Sequence, residues 1–296
     1  VIVQKLPFNW AGNKVDYMGY VNNILYGRKY KRAIDIFMGS GNLIMNINVK
    51  VDELIGNDII PLMPLILSYM RDNPQDYKYK EIKEIDDMWG FTCSENYYAF
   101  REYWNKRYIA EDIDKQFIYE TVMLLKMCNN SLVRFNQKGE FNQGFRGIAR
   151  NNKIGKFFTD SSLKRIPEEL NSLGKKLQKR AYSFYNKDYK ELLQNDIHLG
   201  KDDLLLLDPP YILTNTSTYG GTYNNESEKE LLSFVEGLEC DFILFNYLYN
   251  IDKEHSGLIE LIDRKGYKVI SLRTKGKLKS LNEDAKVNEV LITNII

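Results

Sequence analysis

Histidine, cysteine and proline are scarce in this chain, at two, three and seven among 296 residues. The cysteines, Cys93, Cys128 and Cys240, are odd in number and far apart, so they build neither a disulfide framework nor a zinc-ligand spacing, and two histidines do not complete one. Three thiols, buried or idle in a reducing compartment, are the expectation. Excess charge of either sign is also missing. Lys plus Arg is 41 and Asp plus Glu 40, for a net charge of +1, which excludes a polycation that holds nucleic acid by bulk charge. No stretch reaches the run of about 18 apolar residues that a membrane helix needs. The opening Val1-Ile2-Val3-Gln4-Lys5 lacks the charged-then-apolar order of a secretory signal. A soluble, intracellular protein with no metal and no membrane partner is therefore expected.

What is present is ordinary in amount and uneven in placement. Hydrophobic residues make up 44%, enough for a sizeable core, and the length fits two domains or one with a large insertion. Charge is segregated. Residues 75–120 hold 11 acidic and 7 basic side chains, net −4. Residues 146–190 hold 12 basic and 4 acidic, net +8, and residues 264–286 hold 8 and 2, net +6. The cluster Arg28, Lys29, Lys31 and Arg32 adds to the positive side. Two long basic stretches against a neutral total point to a face that binds a polyanion.

Three apolar runs read as parallel strands that end where loop chemistry begins. Ala33-Ile34-Asp35-Ile36-Phe37 leads into Met38-Gly39-Ser40-Gly41. Leu204-Leu205-Leu206-Leu207 leads into Asp208-Pro209-Pro210-Tyr211, and Asp241-Phe242-Ile243-Leu244-Phe245 into Asn246. Helical periodicity lies between them, at 42–51, 61–71, 226–238 and 256–264, and residues 288–293 read as a late strand pairing with 267–272. This alternation predicts a doubly wound α/β sheet with its ligands beyond the carboxyl ends of the strands. From about Leu67 to Leu193 the alternation stops. Residues 97–106 and 111–128 read as helices, and 136–147 as a hairpin or loop rich in Gly, Asn and Phe. The middle of the chain is thus a mainly helical insertion.

Two glycines between a strand and a helix, Gly39 and Gly41, let backbone approach a ligand closely. Asp58 follows the strand-like Glu53-Leu54-Ile55-Gly56, where an α/β nucleotide site places a carboxylate for ribose hydroxyls; capping the next helix is a compatible role. In Asp208-Pro209-Pro210-Tyr211 the prolines fix the backbone and leave carbonyls free to accept. Asp208 and the Pro209 carbonyl then suit an amino group, and Tyr211 a flat ring. The exocyclic amine of a nucleobase fits all three.

Asp-Pro-Pro-Tyr after Phe-x-Gly-x-Gly, with an insertion between them, resembles the α group of DNA adenine-N6 methyltransferases, the Dam-like D12 class. Trp10-Ala11-Gly12-Asn13-Lys14 is similar to that family's Trp-Ala-Gly-Gly-Lys. Asn130 to Asn136 with Gly139-Glu140-Phe141-Asn142 is similar to its Asn-Gly-Leu-x-Arg-Tyr-Asn and Gly-Glu-Phe-Asn. Asn186-Lys187-Asp188-Tyr189 and Glu289-Val290-Leu291-Ile292-Thr293-Asn294 resemble further family segments. The resemblance implies a Rossmann-like methyltransferase sheet formed by residues 1–66 and 182–296, with a mainly helical target-recognition domain at 67–181. It implies S-adenosylmethionine as cofactor, leaving as S-adenosylhomocysteine. Trp10, Ala11, Gly12 and Lys14 would contact it, Phe37, Gly39 and Gly41 would enclose its methionine part, Asp58 its ribose, and Asp188 and Tyr189 its adenine. Asp208, Pro209, Pro210 and Tyr211 would hold a flipped adenine of double-stranded DNA, with Asp208 also beside the cofactor.

The implied DNA contacts are Asn9, Asn129, Asn130, Leu132, Arg134 and Asn136. Arg134 suits bidentate contact with guanine, and a salt bridge to Glu140 is its structural alternative. Asn9 stands where the family has a guanine-reading lysine, Asn129 where it has a tyrosine and Gly144 where it has a proline. Adenine methylation is thus implied more firmly than a GATC site. A cognate restriction enzyme is a candidate partner, and a monomer or weak dimer the expected assembly. Two other readings stay open: an RNA or protein amide methyltransferase, whose families more often carry Asn-Pro-Pro-Tyr and lack this insertion, and a non-catalytic DNA-binding relative.

Overall fold

The computed structural model describes residues 6–8, 10, 12–129, 133–148, 155–213, 223–251, 253–275 and 286–296. After a 3-10 turn at Val15–Tyr17 come α1 (Met18–Ile24), β1 (Lys29–Asp35), α2 (Asn42–Asn46) and β2 (Lys50–Asn57). Five helices follow: α3 (Leu62–Asp72), α4 (Tyr79–Trp89), α5 (Ser94–Ile109), α6 (Lys115–Met127) and α7 (Asp160–Leu177). Alternation then resumes with β3 (Tyr182–Tyr185), α8 (Tyr189–Asn195), β4 (Asp203–Leu207), α9 (Asn225–Glu236), β5 (Asp241–Ile251), β6 (Lys253–Glu254), α10 (Ser256–Lys265), β7 (Lys268–Lys275) and β8 (Lys286–Thr293).

The strands form one sheet in the order β3-β2-β1-β4-β5-β8-β7, with β6 paired to β5 outside that path. β1 is parallel to β2 and β4, and β4 to β5, whereas β8 runs antiparallel between β5 and β7. All five residues of β4 are buried, as a central parallel strand covered on both faces requires. The chain divides into two compact units, one of Lys14–Pro61 with Ser183–Ile296 and one of Val1–Asn13 with Leu62–Tyr182. Residues 1–13 thus group with the helical unit, where the sequence reading joined them to the sheet.

Three expectations are corrected. The helix expected over 42–51 stops at Asn46, because Asn22 on α1 donates to the Asn46 carbonyl at 3.2 Å and accepts from Asn48 N at 2.7 Å, and the chain then enters β2. The helix expected from Glu111 begins at Lys115. Glu111 has φ 53°, outside helical space, and the Asp114 side chain caps the start by accepting from Phe117 N at 2.7 Å. Finally, Arg28 and Arg32 are not part of an open basic face. Arg32 grips Asp203 through two nitrogens, at 3.0 and 2.6 Å, and Arg28 reaches Asp241 at 3.5 Å and the Ile296 carbonyl at 2.7 Å. These acids begin β4 and β5, at the end of the sheet away from the strand carboxyl termini.

In the helical unit, the Trp104, Tyr108 and Phe117 rings cluster in a triangle, with the Trp104 centroid 4.9 and 5.2 Å from the other two and those 6.5 Å apart, and the Trp104 N–H donates to Thr121 at 2.9 Å. The Arg107 guanidinium meets Asp112, Asp114 and the fully buried Glu120, each at 2.8 Å. Replacing Arg107 by Met leaves Glu120 buried without its cation, a change expected to cost about 3–5 kcal/mol. Urea unfolding of the variant checks this; an unchanged midpoint would show that Glu120 does not depend on the ion pair.

Candidate active site

In an open parallel sheet a ligand crevice forms where the order of connection reverses, and here that is between β1 and β4. The loop after β1 turns sharply: Gly41 N donates to the Met38 carbonyl at 2.7 Å, and Gly39 and Gly41 have φ 51° and 78°, which side-chain-bearing residues rarely adopt. Gly56 of β2 has a different reason to be glycine. A Cβ there would come within 2.5 Å of the Met38 sulfur, so this close approach packs the loop on the sheet.

Asp58, just past β2, accepts from Gly39 N at 2.7 Å through one oxygen and from Ile60 N at 2.9 Å through the other. Burial pushes its pKa up to about 6, against the pull of these amides. The neighbouring Asn57 is buried and joins three chain segments. Its amide donates to the carbonyls of Ile36 (3.2 Å) and Lys187 (3.0 Å), and its oxygen accepts from Lys187 N at 3.0 Å. Asn186 donates to the carbonyls of Asp58 and Ile59, at 2.8 and 3.0 Å. Asp188, in the segment so fixed, caps α8 by accepting from Lys190 N at 2.8 Å, and Tyr189 lies against Phe37 with ring centroids 5.1 Å apart. The structure therefore brings Phe37, Gly39, Gly41, Asp58, Asp188 and Tyr189 together along adjacent strand ends.

Asp208 follows the buried β4 directly. Its Oδ2 pairs with Lys14 Nζ at 2.7 Å, and its Oδ1 accepts from the Tyr211 hydroxyl at 3.0 Å. The Lys14 ammonium is itself buried and stands 5.3 Å from the Tyr211 ring centroid and 5.5 Å from that of Phe245. Burial raises the Asp208 pKa above the ordinary carboxylate range, Lys14 and Tyr211 oppose it, and the nearby Glu289 adds to the rise. Lys14, expected at the cofactor, is thus placed as the counter-ion of the Asp-Pro-Pro-Tyr carboxylate.

Sequence reasoning passed over several residues here. Asp35 closes β1 wholly buried, and burial with Asp208 and Asp58 nearby drives its pKa well up against the weaker pull of the Phe37 and Ile44 amides. A charge inside an apolar strand run was the signal. Glu228, from α9, accepts from Tyr223 at 2.5 Å and Asn246 at 3.2 Å and lies 2.7 Å from His255 Nε2. Nothing local in the sequence marks that cluster, because its members come from four separate segments.

Of the expected DNA contacts, Asn129, Arg134 and Asn136 lie in the helical unit. Asn9, Ala11, Asn130 and Leu132 lie outside the described residues. Trp10 stands 6.3 Å from Phe8 between ring centroids, its carbonyl accepts from Asn13, and Gly12 has φ 75°. Phe135 and Phe141 bridge across a turn that Asn136 closes: its oxygen accepts from Lys138 N and Glu140 N, and its amide donates to the Glu140 carboxylate at 2.8 Å. Arg134 is exposed and donates through Nε to Asn142 at 2.8 Å; the alternative salt bridge to Glu140 is not formed. Asn129 N pairs with the Gly144 carbonyl at 2.9 Å. Asn105 on α5 both accepts from Phe141 N (2.8 Å) and donates to its carbonyl (3.1 Å), fastening the hairpin to the helix. Among the described residues no group of acids, histidines and cysteines could hold a metal, and no helix is long and apolar enough to cross a membrane.

The chain is 28% identical over 301 residues to "Modification methylase StsI" of Streptococcus sanguinis, covering 98% of this chain and 43% of that protein. It is 27% identical over 302 residues to "Type II methyltransferase M.FokI" of Planomicrobium okeanokoites, with the same coverages. Against "DNA adenine methylase" of Escherichia coli K12 it is 25% identical over 238 residues, 77% of this chain and 74% of that one. The chain thus spans less than half the length of the first two relatives. The model of one family, described as "D12 class N6 adenine-specific DNA methyltransferase", matches residues 10–253. The chain belongs to the D12 class of N6 adenine-specific DNA methyltransferases.

Proposed function

We propose that the chain transfers a methyl group from S-adenosylmethionine to N6 of an adenine turned out of double-stranded DNA. The observation that carries this reading is the Asp208 carboxylate, fixed by Lys14 and Tyr211 at the end of a buried strand beside the turn formed by Gly39 and Gly41. The residues beyond β1, β2 and β3 fit the cofactor. Two left-handed glycines leave its path clear of Cβ atoms, Asp58 has acceptor capacity left for ribose hydroxyls, and Phe37 with Tyr189 offers ring surface for an adenine. S-adenosylmethionine bound there supplies an electrophilic methyl on a sulfonium.

This chain's residues supply the rest. The lone pair of adenine N6 is delocalised into the ring, so the amine is a poor nucleophile. Hydrogen bonds from N6 to Asp208 and to the Pro209 carbonyl favour a tetrahedral nitrogen with its lone pair free. Lys14 opposes the rise that burial imposes on the Asp208 pKa and holds the carboxylate in place, so the acceptor is oriented before the base arrives. Extruding the base costs about a few kcal/mol. We assign DNA reading to the helical unit, with Arg134 directed at a guanine by Asn142. The printed names of the relatives, a modification methylase and a DNA adenine methylase, favour DNA as the substrate.

Removing the acceptor should stop the chemistry. Asp208→Ala is expected to lower methyl transfer by about 10²-fold or more; transfer of labelled methyl to duplex DNA at the wild-type rate would remove Asp208 from the mechanism. Asp58 gives a pH dependence with a definite sign. Its carboxylate is the ribose acceptor and is neutralised as pH falls through about 6, so the KM for S-adenosylmethionine should rise on the acid side of that value. Asp58→Asn should raise KM above a pH of about 6, toward the wild type's acid-side value, and abolish this limb, and an unaltered pH profile in that variant assigns the limb elsewhere. For Arg134→Ala the expected loss is about 1–3 kcal/mol at cognate DNA with relaxed choice at one base. Uniform weakening across oligonucleotides varied at each position would make Arg134 a phosphate contact.

A further inference from the structure

Strand β8 carries a carboxylate that none of the roles above uses. Glu289 is buried, one oxygen accepting from the Tyr17 hydroxyl at 2.7 Å and the other from the Tyr211 hydroxyl at 3.4 Å. Tyr211 therefore stands between two carboxylates, its single hydroxyl proton shared unequally between Asp208 at 3.0 Å and Glu289 at 3.4 Å. In the sheet, Glu289 lies opposite Tyr247 of β5. The register between β5 and β8 shifts just after that pair, a bulge of the kind that re-aims a side chain. The Tyr247 ring meets Tyr211 edge to face at 4.8 Å. Tyr211 is thus held at its ring by a T-shaped contact with Tyr247 and at its hydroxyl by Asp208 and Glu289.

We propose that Glu289 is a positioning residue for methyl transfer: it fixes the Tyr211 hydroxyl, and through it the orientation of the Asp208 carboxylate and of the ring face offered to the base. The inference rests on the function proposed above. A buried carboxylate beside a second one is unfavourable unless donors face it, and here two phenols do. Tyr17 reaches Glu289 from the turn that directly follows Lys14, so the segment bearing the counter-ion of Asp208 is anchored to the same carboxylate. Without Glu289 the Tyr211 ring keeps its contact with Tyr247 and its hydroxyl keeps its bond to Asp208, but the second acceptor that fixes the direction of that hydroxyl is lost, so the Asp208–Tyr211 pair is free to re-aim.

The test compares Glu289→Ala and Glu289→Gln with wild type in single-turnover methylation of duplex DNA, with S-adenosylmethionine affinity measured separately by calorimetry. Glu289→Ala should slow the single turnover by roughly 10–100-fold, the size expected of a small misplacement, while cofactor affinity stays within about twofold. Glu289→Gln keeps an acceptor oxygen and should restore part of the rate. A second readout needs no turnover: the ¹³Cζ resonance of Tyr211, assigned with Tyr211→Phe, should move in Glu289→Gln. A wild-type rate in folded Glu289→Ala, a rate loss matched by an equal loss of cofactor affinity, no restoration by Gln, or a stationary Tyr211 resonance overturns the proposal. If wild-type protein methylates no duplex DNA, the proposed function fails, and the resonance still decides whether Glu289 holds Tyr211.

Discussion

A carboxylate paired with a buried ammonium at the end of a buried strand is the constraint on which this α/β unit depends. Asp208 emerges from five buried residues of β4, where burial raises its pKa. An ammonium at 2.7 Å and a phenol at 3.0 Å oppose that rise, and each brings a further piece of chain with it. Lys14 fixes the segment ahead of α1. Tyr211 fixes the backbone just past the two prolines and, through Tyr247 and Glu289, the antiparallel strands β5 and β8. The antiparallel part of the sheet thus has a role besides closing an edge: it supplies the far wall of the Asp208 site.

The side proposed for the cofactor is built differently. Its loops are held by neutral side-chain amides bonded to backbone, chiefly Asn57 and Asn186, which tie the ends of β1, β2 and β3 into one surface. Amides satisfy buried backbone groups without adding charge, and Asp58 and Asp35 are the carboxylates of that region whose pKa burial raises. Burial holds both above the usual carboxylate range, Asp58 at about 6. A positively charged ligand would ease that condition, as the sulfonium and ammonium of S-adenosylmethionine would.

Much of this was legible in the sequence where apolar runs ended in Gly, Pro or Asp. β4 and the first half of β5 were plain because a central parallel strand needs unbroken apolar residues, and α3, α9 and α10 followed from helical period. The limits lay where tertiary contacts decide. Asn22 ends α2 from another helix, and Pro167 interrupts the reading of α7, although Leu163, Ile166, Leu170, Leu173 and Leu177 keep a helical spacing and are buried. β3 has four residues and no run to announce it. At the site, the motif residues were legible as types in order, but their partners were not. No spacing rule relates Lys14 to Asp208, 194 positions on, or Tyr17 to Glu289.

The central claim is that this geometry methylates adenine N6 in DNA, and the product itself tests it most directly. Duplex DNA incubated with the protein and S-adenosylmethionine, digested to nucleosides and resolved by mass spectrometry, should contain N6-methyldeoxyadenosine as its single new species. Methyl groups found instead on cytosine, on RNA or on protein, or on no substrate by a folded, cofactor-binding chain, would contradict the account.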